Sequence, residues 1–160
     1  MIILDINQVM LSNLMVQMGS HTNMKIEEDL VRHMILNSLR MYNVKYRKEY
    51  GQMILACDGG NTWRKEIYPQ YKAQRKKNRE ESSIDWKEFF RVLGMVRDEI
   101  REYVPFKVVH LQGVEADDVI ATLAHVAAEQ GMQVIVSSGD KDLSQLVNER
   151  ITIIDTMNGK

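Results

Sequence analysis

Residues 107–146 read KVVHLQGVEADDVIATLAHVAAEQGMQVIVSSGDKDLSQL, and this stretch decides the fold class. A short apolar run, KVVHL, is followed by acidic residues, by an alanine-rich stretch that ends at Gly131, and by a second apolar run, QVIVSS. Two such runs joined by a helical stretch of this length are typical of a βαβ unit, in which the strands are parallel. The stretch therefore predicts an α/β domain with a mainly parallel central sheet flanked by helices.

The same alternation of short apolar runs and longer amphipathic stretches extends outward on both sides. Strands are predicted at IILDI (2–6), MILACD (53–58), KVVHL (107–111), QVIVSS (133–138) and ITIID (151–155). A helix is predicted over 25–48 from apolar residues near helical spacing, namely Ile26, Leu30, Met34 and Leu39. A second is predicted from Ser83, as N-cap, to the residue before Pro105. Its apolar stripe is Phe89, Val92, Val96 and Ile100.

Length and composition favour one domain over residues 1–160, since 160 residues with 44% hydrophobic side chains can bury one sizeable core. No apolar run approaches the roughly 20 residues that a membrane-spanning helix needs, and an acid stands where a signal peptide would carry positive charge. These features predict a cytoplasmic protein. The single cysteine, Cys57, excludes an internal disulfide, and the four histidines fall at no recognised zinc-ligand spacing.

Acidic residues follow four of the predicted strands. They are Asp5, Asp58, Glu115, Asp117, Asp118, Asp140 and Asp142. Taken singly, each has an ordinary explanation, such as a turn at Asp58 or a helix cap at Asp140. Together they should converge, because the carboxyl ends of parallel strands meet at one edge of the sheet. Clustered carboxylates raise one another's pKa unless a cation compensates them, and oxygen donors without Cys or His suit Mg²⁺ or Mn²⁺.

Basic residues are concentrated in one segment. Residues 64–79 hold seven Lys or Arg and one Glu, a local charge of +6 that leaves −7 for the remainder of a chain whose total is −1. The basic residues are Arg64, Lys65, Lys72, Arg75, Lys76, Lys77 and Arg79, and the aromatics Trp63, Tyr68 and Tyr71 lie among them. Cations interleaved with stacking aromatics favour contact with a nucleic-acid backbone or single-stranded end. The plainer alternative is a solvated basic helix.

Several motifs together resemble the flap endonuclease and 5′ nuclease superfamily, and within it the branch of the T-even-type bacteriophage ribonucleases H. The motifs are EADDVIATLA (115–124), SSGDKDLSQL (137–146), the strand that ends in Asp5, Asp58 followed by the basic segment, VRHMILNSLRMYNV (31–44) and NREESSIDWKEFF (78–90). The resemblance covers nearly the whole chain. The pairing of EADD with GDKD about twenty residues later is its most specific part.

The resemblance implies a PIN-like α/β domain with a basic helical gateway, or arch, at residues 62–82. It also implies a Mg²⁺-dependent 5′ to 3′ exonuclease and flap endonuclease with ribonuclease H activity. Such an enzyme removes RNA primers and 5′ flaps during DNA replication. The implied partners are flapped DNA, RNA–DNA hybrid and replication proteins such as a single-stranded-DNA-binding protein, with no membrane and a monomeric state.

Residue roles follow from the same resemblance. Around the first of two metal ions it places Asp5, Asp58, Glu115, Asp117 and Asp118; near the second it places Asp140 and Asp142. On the scissile phosphate and the 5′ strand it places Arg64, Lys72 and Arg75, with Lys65, Lys76, Lys77 and Arg79 as further nucleic-acid contacts. Family members continue beyond this stretch with a further aspartate pair and a helix-three-turn-helix element, so we expect the second metal site to be incomplete here.

Other functional classes fit less well. A haloacid-dehalogenase phosphatase needs Asp-x-Asp on its first strand, where this chain has Asn7. A receiver domain also clusters acids but has no use for a basic aromatic segment, and the chain lacks the GxxxxGK[ST] of P-loop NTPases. One alternative stays open, a catalytically weak form that mainly binds branched or flapped nucleic acid.

Overall fold

Five strands form one sheet in which every neighbouring pair is parallel. The computed structural model describes residues 1–18, 26–82 and 84–155. The strands are β1 (Ile2–Asp5), β2 (Met53–Cys57), β3 (Lys107–His110), β4 (Val134–Ser137) and β5 (Ile151–Ile154), in the order β3-β2-β1-β4-β5. The predicted strands and the parallel sheet are thereby confirmed. The strand order reverses direction beside β1, and crevices at such points are where open α/β sheets bind ligands.

Helices cover both faces of this sheet. They are α1 (Ile6–Met18), α2 (Glu28–Tyr50), α3 (Arg64–Ile67), α4 (Ala73–Glu80), α5 (Trp86–Tyr103) and α6 (Ala116–Glu129), and a 3₁₀ helix spans Lys141–Leu146. None of the helices in the described ranges is long and apolar enough to cross a membrane.

The core lies in two layers, one on each face of the sheet. Ile2 and Leu4 face the layer formed with α1, α2 and α5, whereas Ile3 faces the layer formed with α6 and the 3₁₀ helix. Because both faces are buried, the central strands are continuous apolar runs rather than alternating ones. Burying each large aliphatic side chain contributes roughly 1.5–3 kcal/mol.

The predicted stripe of α5 is confirmed, since Phe89, Val92, Val96 and Ile100 are all buried. The stripe predicted for α2 was partly wrong. Ile26 and Leu39 are buried, but Leu30 and Met34 are only half-buried, and the fully buried positions next to them are Val31 and Ile35. The sequence carries two adjacent apolar rows here, and only packing against the sheet and α5 selects between them.

The helix ends follow local turn chemistry. The predicted N-cap Ser83 lies outside the described residues, and the cap that the structure shows for α5 is Asp85, whose carboxylate accepts the backbone N–H of Glu88. The helix ends at Tyr103, ahead of Pro105. Gly51, directly after α2, has a φ of 81° that a side chain would strain.

Gly59 brings two loops of the C-terminal edge into direct contact. Its N–H donates to the Val114 carbonyl at 2.8 Å, and the N–H of Trp63 donates to the Gly113 carbonyl at 3.0 Å. A Cβ at Gly59 would lie 1.7 Å from the Leu111 carbonyl oxygen. The loop after β2 is therefore fixed against the loop that leads into α6.

A pair of glycine-to-alanine variants tests this close approach. We expect Gly59→Ala to lower the free energy of unfolding by roughly 1–3 kcal/mol, because the backbone has to move apart. Gly94→Ala is the matched control, since a Cβ at this position in α5 meets only the Arg97 Nη2 at 3.9 Å. It should raise the free energy of unfolding by about 0.5–1 kcal/mol. Urea unfolding followed by circular dichroism measures both, and similar effects would contradict the loop contact.

Candidate active site

Seven acids lie along the C-terminal edge of the sheet or in the segments that leave it. Asp5 is the last residue of β1 and pairs in register with Ala56 of β2, so Asp58 follows just beyond the same edge. Glu115 is the N-cap residue of α6, and Asp117 and Asp118 are in its first turn. After β4, Asp140 caps the 3₁₀ helix and Asp142 lies in its first turn.

Asp5 is the most deeply buried of these acids, with 4% of its surface exposed. Its carboxylate accepts the backbone N–H of Gln8 at 3.1 Å and the Ser138 hydroxyl at 3.3 Å. Burial, with smaller contributions from the charges of Asp58 and Asp117, raises its pKa to about 7 against the opposing effect of the two hydrogen bonds. The carboxyl is therefore poised between its neutral and charged forms near neutral pH.

The pKa of the Asp117 carboxyl is also raised. Burial raises the pKa of this carboxyl first, and the charge of Asp140 adds to the effect, with smaller contributions from Asp58 and Glu115. Asp5, Asp58, Asp117 and Asp140 are therefore close enough to repel one another, and they constitute the acid cluster of this site.

Asp58 is held by hydrogen bonds from two directions. One carboxylate oxygen accepts the Asn7 side-chain amide at 2.7 Å, and the other accepts the backbone N–H of Ala116 at 2.8 Å. The second bond uses a free N–H at the start of α6, where a negative charge is favoured. Asp58 thus connects the end of β2 to the helix that carries Asp117.

Glu115 and Asp118 are neutralised by bases from the segment 62–82. Lys72 Nζ lies 2.7 Å from a Glu115 carboxylate oxygen, and the Tyr71 hydroxyl donates to the other oxygen at 2.9 Å. Arg64 donates two hydrogen bonds to Asp118, at 2.6 and 2.7 Å, and also lies 3.1 Å from Glu115. The bonds from Arg64 lower the pKa of the Asp118 carboxyl.

The structure thus divides the seven predicted ligands. Four repel one another in the acid cluster, Glu115 and Asp118 are paired with bases, and the Asp142 side chain is exposed. Within residues 1–18, 26–82 and 84–155, no three His, Cys, Asp or Glu side chains are already arranged around a common cation position. The ligand set therefore stays a prediction.

Three contributors were not predicted from the sequence. Ser138 bridges Asp5 and the backbone N–H of Asp140, the latter at 3.2 Å, so it connects β1 with the turn after β4. Asn7 positions Asp58 and Tyr71 positions Glu115. The doubled serine before Gly139 was a usable signal, because a buried strand that ends in hydroxyls beside acids can hold them.

The basic segment lies across the acidic edge. Lys72 precedes α4 in the left-handed conformation, with a φ of 55°, which turns the chain between α3 and α4. The Arg64 guanidinium lies 4.6 Å from the Trp63 ring centre, and the Arg79 guanidinium lies 4.9 Å from that of Phe90. Lys65 and Arg75 are exposed. Lys77 lies 4.0 Å from Glu81, and the Lys76 side chain falls outside the described part.

Comparisons with known proteins identify the family of this chain. The family described as "5′-3′ exonuclease, N-terminal resolvase-like domain" matches residues 2–160. Ribonuclease H of Enterobacteria phage T4 is 36% identical over 148 residues, which are 90% of this chain and 48% of that protein. A 5′-3′ exonuclease of Aquifex aeolicus is 36% identical over 126 residues, 78% of this chain and 41% of the relative.

A bacteriophage T5 flap endonuclease, solved in complex with DNA and metal ions, has the same fold. It superposes with a TM-score of 0.78 at 19% identity, and the match covers 99% of this chain and 56% of that one. The chain spans about half the length of the phage T4 protein that it matches.

The raised pKa of the buried Asp5 carboxyl should make the stability of the fold depend on pH. Its pKa in the folded state is about 7, above the ordinary value of 3.8, so the folded state holds this proton more tightly than the unfolded state does. Stability should therefore fall as pH rises from about 4 to about 7. In a buffer with a chelator, Asp5→Asn should raise the free energy of unfolding at pH 8 by up to about 4 kcal/mol and much less at pH 4.5.

Asp142→Asn is the control, because this exposed carboxylate at the same edge should change stability by less than about 0.5 kcal/mol at either pH. Urea unfolding at both pH values measures the effects. An Asp5→Asn variant that is destabilised at pH 8 would show that this carboxylate stabilises the fold. That result would contradict the inference that burial and neighbouring charges make its ionised form unfavourable.

Proposed function

We propose that this chain hydrolyses phosphodiesters at 5′ ends and 5′ flaps of nucleic acid, because it belongs to the family of 5′-3′ exonuclease N-terminal, resolvase-like domains. One observation carries the proposal. The basic segment lies beside the acid cluster, because its Arg64 and Lys72 bind Asp118 and Glu115, which flank Asp117 at the start of α6. A phosphate bound by these bases would lie next to carboxylates that can hold cations.

The residues present fit divalent metal ions. The donors are all hard carboxylate oxygens. Burial first, and then the charges of neighbouring carboxylates, raise the pKa values of Asp5 and Asp117, and a bound cation would offset both effects. The first cation would be held by Asp5, Asp58 and Asp117, joined by Glu115 and Asp118 once their bases move, and the second would be held by Asp140 and Asp142. Two bound Mg²⁺ ions, or Mn²⁺ in their place, would supply an activated water and stabilise charge on the attacking and leaving oxygens.

The chain's own residues position these groups. Ser138 and the Gln8 N–H orient Asp5, and Asn7 and the start of α6 orient Asp58. Lys72, Arg64 and Arg75 would bind the scissile phosphate and stabilise its growing charge electrostatically. We propose residues 62–82 as the arch over the 5′ strand, with Lys65, Lys76, Lys77 and Arg79 as further phosphate contacts.

The proposed substrates and biological role follow from the similarity to the relative named ribonuclease H. We propose RNA–DNA hybrid and flapped DNA as substrates, removal of RNA primers in replication as the role, and the cytoplasm as the location. A monomer and recruitment by a single-stranded-DNA-binding protein are part of the same proposal. For residues 1–160 taken alone we propose one domain with a complete first metal site and a weaker second, because Asp140 and Asp142 give the second few ligands.

The test is Mg²⁺-dependent cleavage of a 5′-labelled flap. Asp117→Asn and Asp140→Asn should each lower the cleavage rate at least about 100-fold, since each removes a charged oxygen donor. Glu129→Gln is the matched control. It changes an exposed acid at the other end of α6, roughly 18 Å along the helix from Asp117. Cleavage by either acid-cluster variant at the wild-type rate would refute the proposed centre.

Alanine variants test the bases separately. Lys72→Ala and Arg75→Ala should lower the single-turnover rate more than they weaken flap binding, because contacts to a phosphate strengthen as charge grows in the transition state. Lys107→Ala, at the start of β3 on the opposite edge, is the control. Unchanged rates with weaker, salt-sensitive binding would show that Lys72 and Arg75 bind phosphate in the ground state and do not act in the transition state.

A second candidate function is binding of branched nucleic acid without cleavage. The pairing of Glu115 and Asp118 with Lys72 and Arg64 favours it, because these acids are then not open to a cation. The same flap substrate decides between the two candidates. Tight binding with no product in either Mg²⁺ or Mn²⁺ would support the binding function.

A further inference from the structure

A groove of about 290 Å³ lies between α2 and α5, and we call it the α2–α5 groove. Leu36 of α2 lines one side, and Val96, Ile100, Tyr103 and Val104 line the other. Among the described residues, none that is assigned to the proposed site lines this groove. Its volume is just below the roughly 300–1,000 Å³ of small-ligand sites, so it suits an anchoring side chain better than a whole ligand.

The charges at the α2–α5 groove are already paired. Arg32 reaches from α2 to α5 and donates two hydrogen bonds to the Glu99 carboxylate, at 2.7 and 3.0 Å. A third bond from Arg32 goes to Asp29 at 2.6 Å. The other lining residues are aliphatic, apart from Tyr103. The groove is therefore an apolar surface, and a phosphate backbone has no group that would fill it.

Apolar side chains are open to solvent at this groove. Leu36 is 39% exposed, and Tyr103, the last residue of α5, is 75% exposed. Val44, two turns farther along α2, is 74% exposed. Single exposed apolar residues are ordinary on a protein surface. Here they lie at one groove and along one helix, which is the pattern of an interaction surface.

Helix α2 continues past the groove with one exposed row of side chains. Arg40, Val44 and Arg47 follow Leu36 by four, eight and eleven residues, so the four side chains share one side of the helix. We call them the outer row. Arg40, Val44 and Arg47 are all exposed. The row extends roughly 16 Å from the groove, because an α-helix rises 1.5 Å per residue.

The outer row carries positive charge that is not neutralised. Residues 40–48, RMYNVKYRK, hold four Lys or Arg and no Asp or Glu. Among the residues that the structure describes, neither Arg40 nor Arg47 forms an ion pair with a carboxylate, whereas Arg32 and Arg91 do. An apolar groove next to unpaired cations is complementary to an acidic segment that contains a large apolar residue.

We propose that the α2–α5 groove and the outer row dock an acidic segment of a partner protein. A large apolar side chain of that segment enters the groove beside Leu36 and Tyr103, and its carboxylates pair with Arg40 and Arg47. This docking goes beyond the proposed function and does not rest on it, because it uses none of the residues assigned to cleavage. It would hold a partner on the chain while the carboxylate edge of the sheet stays open.

The test measures binding of two fluorescein-labelled peptides by fluorescence anisotropy. Both contain six Asp or Glu residues, which surround a Phe-Leu pair in one peptide and a Ser-Ser pair in the other. Wild-type protein should bind the Phe-Leu peptide at least about tenfold more tightly, because only this peptide can bury an apolar anchor in the groove. Equal binding of the two peptides would refute the docking assignment.

Charge-reversal variants test the outer row. Arg40→Glu and Arg47→Glu should each weaken binding of the Phe-Leu peptide about fivefold, because a cation is replaced by a charge that repels the peptide. Lys45→Glu is the matched control. Lys45 is exposed on the same helix but lies two and a half turns after Leu36, on the other side of α2. It should change the affinity less than about twofold.

An aliphatic truncation tests the groove. Leu36→Ala should weaken binding of the Phe-Leu peptide about fivefold and leave binding of the Ser-Ser peptide unchanged. Val126→Ala, at a 46% exposed position of α6 on the other face of the sheet, is the control. Circular dichroism should show the same folded state for every variant, since each change is at a partly or fully exposed side chain.

Flap cleavage separates this docking from the proposed function. The Leu36, Arg40 and Arg47 variants should cleave a 5′ flap at the wild-type rate. If Arg40→Glu and Arg47→Glu weaken flap binding while the peptides do not bind, the outer row is a nucleic-acid surface and the docking assignment is wrong. If wild-type protein binds the Phe-Leu peptide as expected but cleaves no flap, the proposed function fails and the docking assignment stands.

Discussion

Repulsion among carboxylates is the constraint on which the arrangement of this molecule depends. A parallel sheet sends the carboxyl ends of its strands to one edge, and this chain places an acid at or after the end of each of the five. The acids are accommodated in different ways. Asp5 is buried with a pKa near 7, Asp58 is held by N–H donors, and Glu115 and Asp118 are paired with bases.

The basic segment follows from the same constraint. Arg64 and Lys72 lie on Glu115 and Asp118 because two acids in neighbouring positions at one helix start need compensating charge. In the proposed function these bases bind phosphate and these acids bind cations. The ion pairs between bases and acids are then replaced by contacts of the bases with substrate and of the acids with metal. In this proposal, when nucleic acid binds Arg64 and Lys72, Glu115 and Asp118 lose their compensating charges and become available to a cation.

Helix α5 connects the core to this edge. One of its faces carries the buried stripe of Phe89, Val92, Val96 and Ile100 against the sheet. The adjacent face, with Phe90 and Gly94, lines a cavity that Asp58 and Glu115 also line. A helix fixed by its buried face holds the residues on its adjacent face in place beside the site.

Local sequence patterns were enough to predict the fold class, the strands, the α5 stripe and the placing of acids at one edge. These depend on local patterns, since apolar runs, helical spacing and turn residues act over a few positions. Tertiary structure alone selected Val31 and Ile35 over Leu30 and Met34 in α2, because both rows have helical spacing. It also decided that Arg64 meets Asp118, that Ser138 bridges Asp5 and Asp140, and that Gly94 and Asp58 line one cavity. Those contacts join residues far apart in the chain, and their distances are set by how the layers pack rather than by spacing along the sequence.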